Sequence, residues 1–176
     1  MALLDWIHNR AVLEFCSPER RLKGLEWTSK PHMVLHSGTQ FCSAKLFPSE
    51  KALAKSMLKR SKPAQAHTPF SICQQIVLGD TTQLINYVEG YTRKGSIVTH
   101  TAWLTLQNKV IDPANTHGKC LLPLYGEYPD HYEYIGIVIP SQLAQKLITR
   151  NKVFVPLLDT FDKAEGAFGT TPNFGL

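Results

Sequence analysis

No stretch of this sequence approaches the ~20 consecutive apolar residues that a membrane span requires. Its longest apolar runs, such as Tyr134 to Pro140, have strand length. The first fifteen residues, Met1 to Phe15, are interrupted by Asp5, His8, Asn9, Arg10 and Glu14. They lack a basic start, an unbroken apolar block and a small-residue cleavage site, so they do not read as a secretory signal. Internal repeats and low-complexity linkers are also missing. Cysteine is sparse. Cys16, Cys42, Cys73 and Cys120 lie far apart with no CxxC pair. That spacing offers neither a disulfide framework nor a zinc signature, and His117 with Cys120 makes only a lone HxxC, so no metal is expected. The expectation is a cytoplasmic protein with free thiols and no membrane association.

What is present suits a folded domain. Of 176 residues, 43% are hydrophobic and 19% charged, enough apolar material for one core. The net charge of +5 bears on steering and solubility rather than on chemistry. The expectation is one domain over residues 1–176, with a helical part over 1–65, a core over 70–158 and an irregular tail over 159–176.

Leu3, Leu4, Ile7, Ala11 and Phe15 recur at helical spacing, so 2–15 reads as an amphipathic helix. Ser17-Pro18-Glu19 opens a short helix ending at Gly24. Met33-Val34-Leu35 reads as a strand, and Phe41 to Phe47 suits either type. Pro48-Ser49-Glu50 starts a helix to about Arg60 with Leu53, Met57 and Leu58 as its apolar stripe. Residues 61–69 read as a loop, and Ile72 to Leu78 as a short helix near whose start Cys73 stands. Strands follow at 85–92 and 97–106, joined by a turn at Arg93 to Ser96. The Gln107-Asn108 turn returns the chain through 109–112. Tyr132 to Ile139 is another strand, Pro140-Ser141 starts a helix to Arg150, and Val153 to Leu158 reads as a last strand. Helices first and strands after them indicate an α+β class, with N-terminal helices packed on an antiparallel sheet.

One constellation has the ingredients of thiol chemistry. A cysteine nucleophile needs a lowered pKa, which a helix start favours, a histidine to carry the proton and a carboxylate or amide to orient that histidine. The chain offers Cys73, then His100 on a strand, then Asp112 at the end of the hairpin partner strand. Each of the three also has an ordinary structural reading, as a core thiol, a satisfied strand histidine and a turn-forming Asp-Pro.

The order Cys73, Tyr87-Val88-Glu89-Gly90-Tyr91, His100-Thr101-Ala102-Trp103-Leu104, Val110-Ile111-Asp112-Pro113 and Tyr134-Ile135-Gly136-Ile137 resembles small bacterial and phage proteins of the papain-like and transglutaminase-like superfamily. The resemblance covers roughly residues 70–158. It implies a cysteine-dependent hydrolase or acyl transferase acting on an amide or ester, of peptidase, deamidase or transglutaminase type. Cys73 would be the nucleophile, His100 the base and acid, and Asp112 the orienting carboxylate. Trp103 would pack beside the site, and Gln74, Gln75 or a nearby amide would hold an oxyanion. No cofactor is implied, and the substrate would be a protein or peptide.

This chain departs from the family pattern in two places. Thr101 stands where the family places histidine two residues before tryptophan, so a bulge near Thr99 to Thr101 is expected to turn His100 toward Cys73. Ile76 and Val77 stand where the family often has Asn-Ala. The alternative is therefore a catalytically inactive member of the fold that binds a macromolecule.

Two further features stand apart. Cys42, in Gly38-Thr39-Gln40-Phe41-Cys42-Ser43-Ala44, is the competing nucleophile. Lys51, Lys55, Lys59 and Lys62 fall on one helical face, either a solvated face or a docking surface for an acidic protein or nucleic acid. No nucleic-acid motif accompanies them.

Overall fold

A computed structural model describes residues 1–15, 29–60, 68–117, 120–121, 123–151 and 154–161. The expected short helix over 17–24, Cys16, Lys62 and the tail beyond 161 lie outside them.

Helix α1 (Leu3–Phe15) turns Leu3, Ile7 and Ala11 into the core. Residues 33–35 are not a strand. They lie in α2 (Lys30–Ser37), where Ser29 caps the first turn by accepting from the His32 amide and Pro31 sits in that turn. Three apolar residues in a row carry a weak strand preference, and a capped proline-led helix start outweighs it. Strand β1 (Thr39–Phe41) follows. In α3 (Pro48–Arg60), Ala54 and Met57 are buried, while Glu50 reaches back to the Phe47 amide at 2.6 Å. Helix α4 (Pro69–Leu78) begins at a capping box. Thr68 accepts from the Ser71 amide, Ser71 answers the Thr68 amide, and Pro69 takes the first helical position.

The remaining elements are β2 (Ile85–Lys94), β3 (Ile97–Leu106), β4 (Lys109–Asp112), β5 (Thr116–His117), β6 (Cys120–Leu121), β7 (Leu124–Tyr125), β8 (Tyr132–Ile139), α5 (Ser141–Asn151) and α6 (Leu158–Phe161). Strand β2 runs to Lys94, so the first hairpin turn is the pair Gly95-Ser96. The second, Gln107-Asn108, holds both residues at positive φ, 49° and 61°, as a tight right-twisted hairpin requires. Over its described residues, 154–158, the expected strand at 153–158 is not formed. Residues 154–156 are irregular, and the chain turns at Leu157 into α6. Pro156 has no N–H to give a sheet, and its carbonyl accepts from Asp159.

The architecture is α+β. Six antiparallel strands make the order β1-β8-β2-β3-β4-β7, with β5 and β6 as a separate pair. Helices α1, α2, α4 and α5 contact the sheet. The side that meets the main core carries Tyr87, Tyr91, Ala102, Leu104, Ile111, Ile135 and Ile139. The opposite side carries Val88, Trp103, Val110, Tyr132 and Tyr134, with Phe41 and Leu124. No helix among the described residues is long and apolar enough to cross a membrane.

Gly90 and Gly136 face each other across β2 and β8. A methyl group on Gly136 would lie 2.6 Å from Cη2 of Trp103 and 2.8 Å from the Glu89 carbonyl. One on Gly90 would meet the Ile135 carbonyl and the Gly136 Cα. Gly136 makes the room that the indole fills, and Gly90 lets β2 and β8 approach closely. Gly136→Ala should therefore destabilise the protein by about 1–3 kcal/mol, read as a lower urea midpoint at unchanged slope.

Candidate functional site

Cys73 lies one turn inside α4, because the capping box starts the helix at Pro69. Its thiol has no exposure. Burial, and then the negative charge of Asp112, push it well above the ordinary thiol value. The dipole effect fades within the first turn, so helix position gives little compensation.

His100 points toward the helices from β3. The β2–β3 ladder runs without interruption from Ile85↔Leu106 to Lys94↔Ile97, and the expected bulge is not there. None is required, since His100 shares the face of Ala102 and Leu104 by simple alternation. Its ring sits between Phe70, 5.1 Å away, and Tyr91, 5.3 Å away. Among the described residues no hydrogen bond joins it to Cys73.

Asp112 is on the other side of the sheet. Leu104 pairs with Ile111, so the next residue, Asp112, shares the side of Trp103. Its carboxylate accepts from Lys94 Nζ at 2.9 Å, Tyr134 Oη at 2.9 Å and the Ala114 amide at 3.1 Å. Lys94 Nζ also meets Asn115 Oδ1 at 2.7 Å. The Tyr134 phenol is driven up by burial and then by Asp112. Trp103 packs edge-on against Phe41 and Tyr134, away from Cys73. Strands β3 and β4 do pair as the sequence suggests, but they carry His100 and Asp112 on opposite faces.

The carboxylate beside His100 is Glu89. Its Oε1 is 3.2 Å from His100 Nε2, close enough for an ion pair though not aligned as a hydrogen bond. Glu89 has no exposure, while the His100 side chain keeps 21%. Glu89 Oε2 accepts from the Leu157 amide at 2.6 Å, the Leu158 amide at 3.3 Å and Tyr87 Oη at 3.1 Å. Gln74, also fully buried, donates to the Val155 carbonyl at 2.6 Å and to Tyr87 Oη at 3.4 Å. The phenol of Tyr87 is pushed up by burial and then by the Glu89 charge. Gln75 is half-buried on α4, and its carbonyl accepts from Gly79. Cys42 is exposed in the loop after β1. Lys51, Lys55 and Lys59 are exposed on α3.

The sequence reading named Tyr87 and Glu89 only as motif letters, with no role at the site, and did not name Phe70. Glu89 had a signal: a lone acid between Tyr87-Val88 and Gly90-Tyr91 in a strand must either face water or be satisfied internally. Phe70 became visible as a neighbour of His100 only once the helix start was placed at Pro69.

Compared with protein-family models, curated proteins and solved structures, the chain matches none.

Two outcomes follow from this geometry. Glu89→Ala should cost about 3–5 kcal/mol, because it strands two amides, a phenol and an imidazole. Glu89→Gln should cost less, and denaturant titration separates the two. Cys73, Tyr87, Tyr91 and Tyr134 are all raised by burial, so the folded chain keeps protons that the unfolded chain releases. Stability is then unaffected at neutral pH and falls as pH rises past the ordinary values of 9.0 for thiol and 10.0 for phenol. Urea midpoints across that range check the sign.

Proposed function

We propose that this chain is a non-catalytic member of the papain-like and transglutaminase-like fold and acts as a binding domain for a macromolecular partner. The observation that supports this most is Phe70. A cysteine nucleophile belongs at a helix start beside the imidazole, and the helix residue packed on His100 is this phenylalanine. Cys73 comes one turn later, buried and with its thiol held in the neutral form. A buried thiol with a raised pKa behaves as a small hydrophobe. Asp112 already accepts from Lys94, Tyr134 and Ala114, on the side of the sheet away from His100. The free thiols of Cys42 and Cys73 suit a reducing compartment, in keeping with a cytoplasmic protein.

A second reading is favoured by the approach of Glu89 to His100. In it the chain is a cysteine-dependent hydrolase or acyl transferase on an amide or ester. Cys73 is the nucleophile, His100 takes its proton and returns it to the leaving group, and Glu89 rather than Asp112 steadies the imidazolium. This reading requires α4 to shift enough to expose the thiol.

Alkylation with iodoacetamide at about pH 6, followed by peptide mapping, separates the two. The non-catalytic reading expects no fast labelling of Cys73 in the native protein. It also expects that Phe70→Cys creates a fast-reacting thiol whose reactivity is lost when His100→Ala is added. Fast labelling of Cys73 in the unaltered chain, abolished by His100→Ala, would overturn it in favour of the hydrolase.

A further inference from the structure

We infer that the cleft between the loop after β1, the start of α3 and β7 receives an acidic peptide segment of a partner protein, which then runs along the lysine face of α3. This rests on the binding reading above and names the partner class.

The cleft has a volume of about 210 Å³ and is lined by Lys45, Leu46, Pro48, Lys51, Tyr125 and Glu127. That is below the ~300–1,000 Å³ of cofactor-sized sites and suits a single side chain. Leu46, Pro48 and Tyr125 supply apolar wall, while the exposed Lys45 and Lys51 add positive charge to the lining. Phe47 beside it is 64% exposed, an unusual position for a large aromatic ring. The combination is an apolar seat with positive charge around it.

The charge around the seat is unspent. Lys30, Lys94 and Lys109 each meet a carboxylate. Lys45, Lys51, Lys55 and Lys59 are exposed and make no ion pair among the described residues. At 1.5 Å per residue, Lys51, Lys55 and Lys59 stand about 6 Å apart along the helix. An extended peptide repeats its side chains on one face about every 6.6 Å. Carboxylates at alternate positions of an extended segment therefore meet successive lysines, with a neighbouring apolar side chain in the cleft. Two features favour a peptide over nucleic acid. Glu127 lines the cleft and repels any anion there, which a peptide avoids by seating an apolar side chain while its carboxylates lie along α3, whereas a nucleic acid carries a phosphate at every step. Lys109 Nζ lies 4.0 Å over the Phe47 ring and covers one of the faces on which a base would stack.

The test uses the full chain and fluorescence anisotropy with a labelled peptide of alternating glutamate and serine carrying one leucine. The expected result is binding that weakens as salt rises and weakens about tenfold in Lys51→Glu/Lys55→Glu, at nearly unchanged melting temperature. Lys146→Glu, exposed on α5, should bind like the unaltered chain, and replacing the leucine by serine should weaken binding. Lys55→Glu/Lys59→Glu serves if the first variant folds poorly. Failure of the peptide to bind, or equal binding by the charge-reversed variant, overturns the inference. Equal or tighter binding of an oligothymidylate of matched charge overturns it in favour of nucleic acid. The thiol-labelling experiment is independent. An inert Cys73 with no peptide binding removes this surface alone, and a reactive Cys73 removes the non-catalytic reading whatever the peptide does.

Discussion

A carboxylate with no exposure in the central strand of a sheet is the constraint around which this molecule is arranged. Taking Glu89 out of water costs several kcal/mol unless neighbours replace the lost solvation. Here they come from four places: Tyr87 on the same strand, His100 on the next, and the Leu157 and Leu158 amides from the far end of the described chain. Gln74 extends the network to α4 and to Val155. Leu157 and Leu158 are themselves fully buried, so the C-terminal turn is held by apolar packing and by Glu89 together. Lys30 then ties α6 to α2 through Asp159 at 2.6 Å. One strand residue thus fixes the relation of sheet, helix and C-terminal segment.

The period of two along a strand divides the polar chemistry between the two faces. Glu89 and His100 lie with the helices, whereas Asp112, Lys94 and Tyr134 lie with Trp103 on the other side. Each group is locally compensated, the first by amides and an imidazole, the second by an ammonium and a phenol. Asp112 still contributes a field at the buried Cys73 thiol, raising it further. A long-range charge of that sign opposes thiolate formation, the reverse of what a nucleophile needs.

Much of this was legible in the residues, and the misreadings have physical causes. The strands showed because β-branched and aromatic residues alternate there, and Gln107-Asn108 showed because asparagine tolerates positive φ. A two-residue turn at Gln107-Asn108 pairs Leu106 with Lys109, which by counting sets Leu104 against Ile111 and Asp112 on the Trp103 face. The separation of Asp112 from His100 was therefore computable. Reading the first turn as Arg93 to Ser96 would pair Thr92 with Ile97 and set Glu89 directly opposite His100, so their neighbourhood was computable too, though not their register. With only Gly95-Ser96 turning, Glu89 pairs with Ala102 and Tyr91 with His100. The C-terminal turn was not legible at all, since it depends on bonds to Glu89 from residues remote in sequence. Gly90 and Gly136 were noticed as motif letters, while their physical roles, close strand approach for Gly90 and clearance for Trp103 at Gly136, need the third dimension.

The position at which α4 begins determines what faces the imidazole. Thr68 and Ser71 satisfy each other's amides and place Pro69 first, so Phe70 falls on His100 and Cys73 falls inward. A start one turn later would have put the thiol where the ring now is. The choice is set by a cap worth about 1 kcal/mol and by the burial of Ile76, Val77 and Cys73 that follows from it. On α3 the same logic frees a surface instead of filling a site. Glu50 caps the helix and binds Lys109 of β4, an attachment that also holds its carboxyl below the ordinary range. Ala54 and Met57 supply the packing. With cap, ion pair and apolar stripe fixing the helix from one side, the exposed Lys51, Lys55 and Lys59 on the other carry no structural duty, and reversing their charge leaves the core packing untouched.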